Sequence, residues 1–413
     1  MRYHTSTLRT LLLIAVLALF AGAAGQPSSS PLVEISGLVT NEKGAPMPHV
    51  YVSVPGERVS VVTNEDGVFT LKCRTRPTFI HVSHIGYHPR KYMLGQNLSK
   101  LVISLKPATV VLQDVIIMAD NAREILQAAM EKIPDNYNRR GELLTCFYRE
   151  TVQKRQRFIH VAEAVAQLYK APVFNAPSAD RVAIEKGRRL LSPKSSDTLG
   201  VKIMGGPNTP IWLDLVKNRE FLLNDDDMQY YDFVMDSPVT LDERPQYVIR
   251  LKPRQAPYAL FNGLLYIDRE TLAFTRAELQ LDVSDRAKAT RAMLVKKPAG
   301  VKFKPREMAI TINYHFDGEM SRISYVSVLF RFNCDWQKRL LATSFTARSE
   351  LVVTGVETQG FQVPRGRDSF FQRDAFFDKV AFFEDADFWK EYNIIEPTES
   401  LEQAIGKLKK SKN

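Results

Sequence analysis

The sequence predicts a mainly β protein: a small N-terminal antiparallel β-sandwich, a linking helix, a larger curved antiparallel sheet, and a C-terminal aromatic strap with a helix. Three observations predict it. Residues 33–118 hold about seven short β-branched or aromatic runs separated by Gly, Pro, Asn and Asp, the spacing of a small sandwich. From about 228 onward apolar residues recur with period two, and few helical stretches separate them, so the sheet is antiparallel rather than βαβ. Nine aromatic residues then crowd into the 23 positions from Phe370 to Tyr392, more than a folded chain can leave in water.

Composition sets the outer bounds. The chain has 413 residues and a formal charge of +10, with 45% hydrophobic and 25% charged residues. That length suits two or three domains. The balance excludes a disordered chain, a collagen-like chain and a polytopic membrane protein. Residues 1–25 read as a secretory signal peptide: Arg2 and Arg9 precede the apolar run Leu11–Ala21, and the small residues Ala21-Gly22-Ala23-Ala24-Gly25 follow. The apolar run is shorter than the ~20 residues that span a bilayer. No cysteine follows it, so a lipoprotein anchor is not expected, and no later segment predicts a membrane helix. Loss of the signal leaves a charge of about +8. The basic residues are scattered, apart from Lys407, Lys409, Lys410 and Lys412, and read as a solvated surface rather than a nucleic-acid site. Three cysteines, Cys73, Cys146 and Cys334, are too few for a disulfide scaffold and read as buried fillers, with one disulfide as the alternative.

The elements follow in order. Glu34–Thr40, Val50–Val54, Val61–Thr63, Val68–Leu71, Phe79–His84, Leu101–Leu105 and Val110–Met118 are the expected sandwich strands. Asp66-Gly67 between β-branched runs predicts a hairpin, because glycine takes the positive φ of the turn. His81-x-x-His84-x-x-x-His88 is the one tempting chemical run there. Residues 81 and 84 point to opposite faces of a strand, and no carboxylate or cysteine completes a zinc site, so surface or turn histidines are expected.

The strands of residues 33–118 resemble the carboxypeptidase-regulatory-like domain. The matching residues are Ile35-Ser36-Gly37-x-Val39, Gly44-x-Pro46-x-Pro48-x-Val50-x-Val52, Thr63-Asn64-Glu65-Asp66-Gly67-x-Phe69-x-Leu71 and Ser83-x-Ile85-Gly86-Tyr87. The resemblance implies a transthyretin-like sandwich that acts as an accessory module, not a peptidase. It also implies an exported Bacteroidetes protein. Leu112-Gln113-Asp114-Val115 resembles the strand that closes the domain in TonB-dependent receptors, but no plug or barrel follows.

Residues 119–139 form the linker. Asn121-Ala122-Arg123-Glu124 has the form of a capping box, Leu126, Ala129, Met130 and Ile133 make one apolar face, and Pro134 is expected to end the helix. The curved β domain is expected over 140–365. Phe158–Tyr169 reads as strand or helix, and 171–210, rich in Pro, Ser and Gly, as a long loop or flap. Asp197-Thr198-Leu199 resembles a Bacteroidetes O-glycosylation signal. Tyr247, Ile249 and Leu251 alternate; Leu264–Ile267 runs into a turn at 268–271, after which Ala273, Ala277, Leu279 and Leu281 share a face. Met308, Ile310, Ile312, Tyr314 and Phe316 share a face of the clearest strand. Val326, Val328, Phe330 and Phe332 are out of phase with Ile323 and Tyr325, which predicts a bulge. Leu340–Thr354 gives one or two more strands. The charged tail after 396 argues against an outer-membrane barrel.

Gly263-Leu264-Leu265-Tyr266-Ile267-Asp268, with Thr271-x-Ala273, resembles the hairpin of exported proteins with a lipoprotein-carrier-like half-barrel around an apolar hollow. Phe147-Tyr148-Arg149-Glu150, Gly205-Gly206-Pro207 and Phe388-Trp389-x-x-Tyr392-Asn393-Ile394-Ile395-x-Pro397 are similar to motifs that recur together in uncharacterised companions of the regulatory-like domain. Residues 366–413 are expected to strap the open face of the sheet and end in a helix whose apolar stripe is Leu401, Ile405 and Leu408.

Catalytic signatures are missing. There is no G-x-S-x-G elbow, H-E-x-x-H, phosphate loop or dinucleotide fingerprint. Asp225-Asp226-Asp227 lacks the glycine and spacing of a calcium loop and reads as a solvated turn. The expectation is therefore a non-catalytic exported envelope protein, periplasmic or outer-membrane associated, with no cofactor, no metal and no catalytic residue assigned. Its expected partner is an envelope protein or an apolar ligand. Two alternatives stand beside it: a carrier of a lipid or other apolar molecule, and an envelope hydrolase for which His315 is a candidate residue.

Overall fold

The computed structural model describes residues 31–108, 122–194, 197, 205–294, 300–336, 342–366, 369–382 and 389–410. The signal segment, the strand expected at 110–118, the Asn121 cap, Thr198, Lys412 and the side chains of Phe382, Phe383 and Phe388 lie outside the described residues.

Strands β1 (Val33–Asn41), β2 (Tyr51–Val54), β3 (Val59–Val62), β4 (Val68–Cys73), β5 (Phe79–Ser83), β6 (Arg90–Met93) and β7 (Leu101–Leu105) build the N-terminal module. One layer has the order β4-β1-β7 and the other β3-β2-β5-β6. Ile35, Val52, Phe69, Ile80 and Ile103 fill the space between them. The Asp66-Gly67 turn forms as its residues require: Gly67 has φ 74°, and Asn64 Oδ1 accepts from the backbone N–H groups of Asp66 and Val68 at 3.0 and 2.9 Å. One pairing differs from an all-antiparallel sandwich. β7 lies parallel to β1, because the chain crosses the other layer between them and returns in the same direction.

The second sheet contains β8 (Glu142–Lys154), β9 (Arg157–Lys170), β10 (Arg181–Leu191), β11 (Tyr231–Leu241), β12 (Arg244–Pro253), β13 (Phe261–Asp268), β14 (Phe274–Leu281), β15 (Val301–Phe316), β16 (Ser321–Trp336), β17 (Thr343–Glu357) and β18 (Ala381–Phe382). Their order is β11-β12-β13-β14-β15-β16-β17-β8-β9-β10-β18, antiparallel except for β10–β18. This is a curled, half-barrel sheet. A single bridge between Gly355 and Val59 joins it to β3 of the sandwich.

The bulge expected in β16 is present. Tyr325 pairs with Asn313 and Ile323 with Tyr314, which leaves Ser324 as the extra residue and lets Ile323 join Val326 and Val328 in one core. Residues 157–170 are a strand. Their period is hard to read because both faces are buried: Ala162, Ala164 and Ala166 point inward, while Val161, Glu163 and Val165 point outward. The expected loop over 171–210 contains strand β10. Its Lys and Arg residues hide the pattern, yet Val182 and Leu190 are buried and Arg188 is paired to Glu163. Pro134 does not end the linker. It sits at the start of a second turn, where its missing N–H is harmless.

The inner face of the curl is filled by the chain's own segments. Helix α1 (Ala122–Glu131) contributes Leu126, Ala129 and Met130, and α2 (Ile133–Asn136) contributes Ile133. Ile211 of α3 (Asn208–Trp212), Leu215, Leu222 and Met228 of α4 (Asp225–Met228) complete the packing against Ile249, Leu265, Phe274 and Ile312, and α5 (Arg286–Met293) follows β14. Below them lies a buried polar knot. Lys170 Nζ is 2.8 Å from Asp180 and 2.9 Å from Asp214, Lys217 Nζ is 3.1 Å from Asp180, and Tyr314 OH donates to Asp214 at 2.7 Å. Each charge meets an opposite one, which offsets the desolvation of all four.

The C-terminal strap covers both faces. Phe370 and Phe376, the latter in α6 (Phe376–Lys379), enter the inner core, with Phe376 edge-on to Tyr148 at 5.3 Å. Gly206 has φ 43°, and a Cβ there would lie 2.8 Å from that of Phe376. Trp389, Ile394 and Ile395 pack on the outer face with Phe147, Val165 and Val62. Helix α7 (Glu399–Lys410) lays Leu401 and Leu408 on Val161 and Leu190. Glu163 is the polar anchor of that face. It accepts from Arg149 Nε at 2.8 Å, Arg188 Nε at 3.0 Å and Trp389 Nε1 at 3.1 Å. Burial pushes its carboxyl up, but the two guanidiniums outweigh that and hold it below the usual range. All three cysteines are free and buried, and burial raises Cys146 to about 12.

Glu163→Ala removes the carboxylate that the Arg149 and Arg188 guanidiniums share. It is expected to cost roughly 3–5 kcal/mol in urea unfolding; a cost below about 1 kcal/mol would remove Glu163 as the anchor. Glu150 behaves in the opposite way. It is buried on the inner face with Tyr148 OH at 2.7 Å, and burial pushes it up to about 8. A raised folded value means that its contribution is fully present below the unfolded value near 4.5 and is lost as pH rises through about 8. Glu150→Gln should therefore gain stability on wild type between pH 5 and pH 8, by a few kcal/mol at order of magnitude, and change little more above pH 8. A difference that does not change with pH would contradict this.

Candidate functional site

The sandwich meets the curled sheet along a polar junction. Each contributor is placed by a local device. The turn between β11 and β12 has Asp242 at φ 50° and Glu243 at φ 62°, the two left-handed positions of a tight hairpin. It projects Asp242 to 3.6 Å from His81 Nε2 and Glu243 to 2.9 Å from His88 Nδ1, while Gly86 N donates to Thr240 O at 2.8 Å. Tyr51, at the start of β2, stacks on His315 near the end of β15 at 4.2 Å. His49 lies 5.0 Å from the Tyr325 ring and 3.9 Å from Glu350. The β15–β16 turn is fixed by Asp317, which accepts from the N–H groups of Glu319 and Met320 and pairs with Arg322; Arg322 also meets Glu142 at 2.7 Å.

Between these contacts the two parts stand apart. An outer cleft of about 890 Å³ runs between Gly56–Ser60 of the sandwich and Phe316–Ser324 of the sheet. An inner chamber of about 120 Å³ continues past His49 and His84 toward Thr275 and Asn313. Tyr51, Asp242, Arg244, His315 and Phe316 line both. Three polar atoms in this wall are buried without a hydrogen-bond partner: Asp242 Oδ1, Arg244 Nε and His49 Nε2. Such orphans are uncommon in folded proteins.

Burial favours the neutral form of His49, His84 and His315. Burial lowers His84 to about 4, aided by Arg276, although its Nδ1 lies 2.8 Å from Ile85 O. Burial also lowers His315 and His49, outweighing the nearby carboxylates of Asp242 and Glu350. Tyr51 is pushed up to about 12 by burial. A neutral imidazole offers one donor and one acceptor. The site can thus bind through hydrogen bonds and ring faces.

The histidine run separates as the strand geometry requires. His81 faces Asp242, His84 turns to Ile85 O and the Tyr87 ring, and His88 meets Glu243. Among the described residues no three of His, Cys, Asp and Glu converge on a metal position. His315, the hydrolase candidate, lies in the cleft wall. Asp225–Asp227 begin the short helix α4, where Asn224 Oδ1 caps the Asp227 N–H, so this acidic run is a helix start rather than a free turn. Asp197 of the glycosylation-like triplet is buried and bound to Arg157, Lys154 and Ser192. Sequence reasoning missed His49, Tyr51, Asp242 and Arg244; the one usable signal was the glycine-free turn at 242–243.

Residues 35–117 match the model of the CarboxypepD_reg-like domain. The sandwich side of the cleft lies within these matched residues. No curated protein matches the chain. Similar solved structures include a putative outer membrane lipoprotein-sorting protein domain from Vibrio parahaemolyticus, at 11% identity over 59% of this chain and 95% of that one, TM-score 0.27. MucB aligns at 12% identity over 58% of this chain and 98% of that one, TM-score 0.21. A LolA superfamily protein from Nitrosomonas europaea gives 12%, 58%, 98% and 0.21. Among the described residues no helix is long and apolar enough to cross a membrane.

The depressed histidines set a pH dependence. The unfolded chain takes a proton on each ring near 6.5, while the folded chain resists until about 4 at His84 and His160. Stability is then full above 6.5 and falls as pH drops toward 4, by about 1–3 kcal/mol per ring. Urea midpoints at pH 7, 5.5 and 4 should decline in that order. His84→Asn, which retains a donor for Ile85 O, should flatten part of the slope; an unchanged slope would clear His84 of any share.

Proposed function

We propose that this chain is a non-catalytic, exported cell-envelope protein that works by binding. The junction cleft between the CarboxypepD_reg-like domain and the curled sheet is its site. The observation that carries the reading is the set of atoms without a hydrogen bond: Asp242 Oδ1 and Arg244 Nε in the wall that the two chambers share, and His49 Nε2 in the inner chamber. A buried donor or acceptor without a partner costs about 1–3 kcal/mol, which a bound molecule recovers. The cleft's hydroxyls favour binding over chemistry. Ser60 Oγ donates to Val353 O at 2.9 Å and Ser324 Oγ to Asn313 O at 3.1 Å, turned toward the backbone rather than toward an imidazole.

The carrier reading places an apolar ligand inside the curl. There the ligand would have to displace Leu126, Met130, Leu215 and Leu222, all packed in the inner core. Polar recognition at the junction asks for no such rearrangement.

Purification of residues 26–413 from their own envelope, followed by mass spectrometry of aqueous and organic extracts, tests this. A stoichiometric water-soluble molecule is expected, with an organic extract free of lipid. A stoichiometric lipid would replace this reading with the carrier. Turnover of an envelope polymer, abolished by His315→Ala, would replace it with the hydrolase.

A further inference from the structure

We propose that the junction cleft is a binding site for a neutral oligosaccharide. This rests on the reading of the cleft as the protein's binding site and names its ligand class. Charge comes first. Across the two chambers four arginines face four carboxylates, so the lining carries no net charge to select an anion or a cation. Most of these charges already answer one another: Arg322 meets Glu142 and Asp317, and Arg244 meets Asp268 at 2.7 Å. What remains are single hydrogen-bonding atoms of mixed sense. Arg244 Nε donates, Asp242 Oδ1 accepts, and His49 Nε2 takes either role according to tautomer. Sugar hydroxyls donate and accept at once, so they match such a set better than a carboxylate, a phosphate or an alkyl chain.

The ring surfaces point the same way. Phe316 stands at the lip with 41% of its surface exposed. Arg244 covers one side of its ring at 5.1 Å. Beside it the Tyr51–His315 stack forms a second flat wall. The apolar C–H face of a pyranose ring lies against such surfaces while its edge hydroxyls reach polar groups. The outer cleft, about 890 Å³, falls in the usual size range of small-molecule sites, and the inner chamber of about 120 Å³ has room for a substituent. An alkyl chain would leave Asp242 Oδ1, Arg244 Nε and His49 Nε2 without a hydrogen bond, the arrangement a binding site rejects most strongly.

Saturation-transfer NMR on the full mature chain tests this with two probes, N,N′-diacetylchitobiose and cellobiose, against glucose 6-phosphate and decanoate. Transfer to the ring protons of at least one disaccharide is expected, with little to the two anions. Phe316→Ala, at an exposed position, should weaken disaccharide binding about tenfold without changing the thermal midpoint. Asp242→Asn, which suits the left-handed backbone there, should weaken it several-fold. No transfer from either disaccharide, transfer unchanged in Phe316→Ala, or preference for an anion would overturn the sugar class. If a different water-soluble molecule co-purifies in that case, the cleft remains the binding site; if none does, both readings fall.

Discussion

The whole chain is arranged around one hairpin that is apolar on both sides. Strands β8 and β9 lie inside the sheet, and most residues of both are buried. A sheet with two apolar faces needs two covers. Inside, the cover is α1 to α4 with the loops between them. Outside, it is the sandwich, the segment Trp389–Ile395 and α7. Glu163 makes the outer cover specific. A lone buried carboxylate would be very costly, and two guanidiniums with an indole N–H satisfy it only when β8, β10 and the strap are all in register.

The sandwich is held differently. Its backbone joins the curled sheet at the Val59–Gly355 bridge and through Gly86 N–H to Thr240 O; beside the apolar packing of Val62, polar side chains make further contacts. Asn64 Nδ2 donates to Pro397 O, Asn393 exchanges two hydrogen bonds with Lys72, and Arg348 pairs with Glu65. Polar contacts need direction but not close packing over area. The 3.6–3.9 Å separations of His81 from Asp242 and of His49 from Glu350 leave gaps that an apolar interface would close. The cleft follows from that choice of interface.

Much of the fold was legible. The period-two strands, the Asp66-Gly67 turn and the β16 bulge all rest on neighbours a few residues apart. The three recurring motifs are instructive. Phe147–Glu150, Gly205–Pro207 and Trp389–Pro397 could be seen but not placed. They meet: Tyr148 touches Phe376, Gly206 makes room for Phe376, and Phe147 stands edge-on to Trp389 at 5.5 Å. β10 was hidden because its arginines are paired across the sheet, with partners far away in sequence. The candidate site was almost invisible, since its side chains come from β2, β5, the β11–β12 turn and the end of β15.

The sequence by itself determined most of the strands, many of the turns between them, and that the chain carries a small sandwich ahead of a curled sheet. These depend on backbone propensity and on side-chain alternation, which act over a few residues. Only the tertiary structure decided that the curl is filled by its own helices, that the strap covers both faces, and that His49, Asp242 and Arg244 share a wall. Those outcomes depend on which buried surfaces find each other, and burial free energy is blind to distance along the chain.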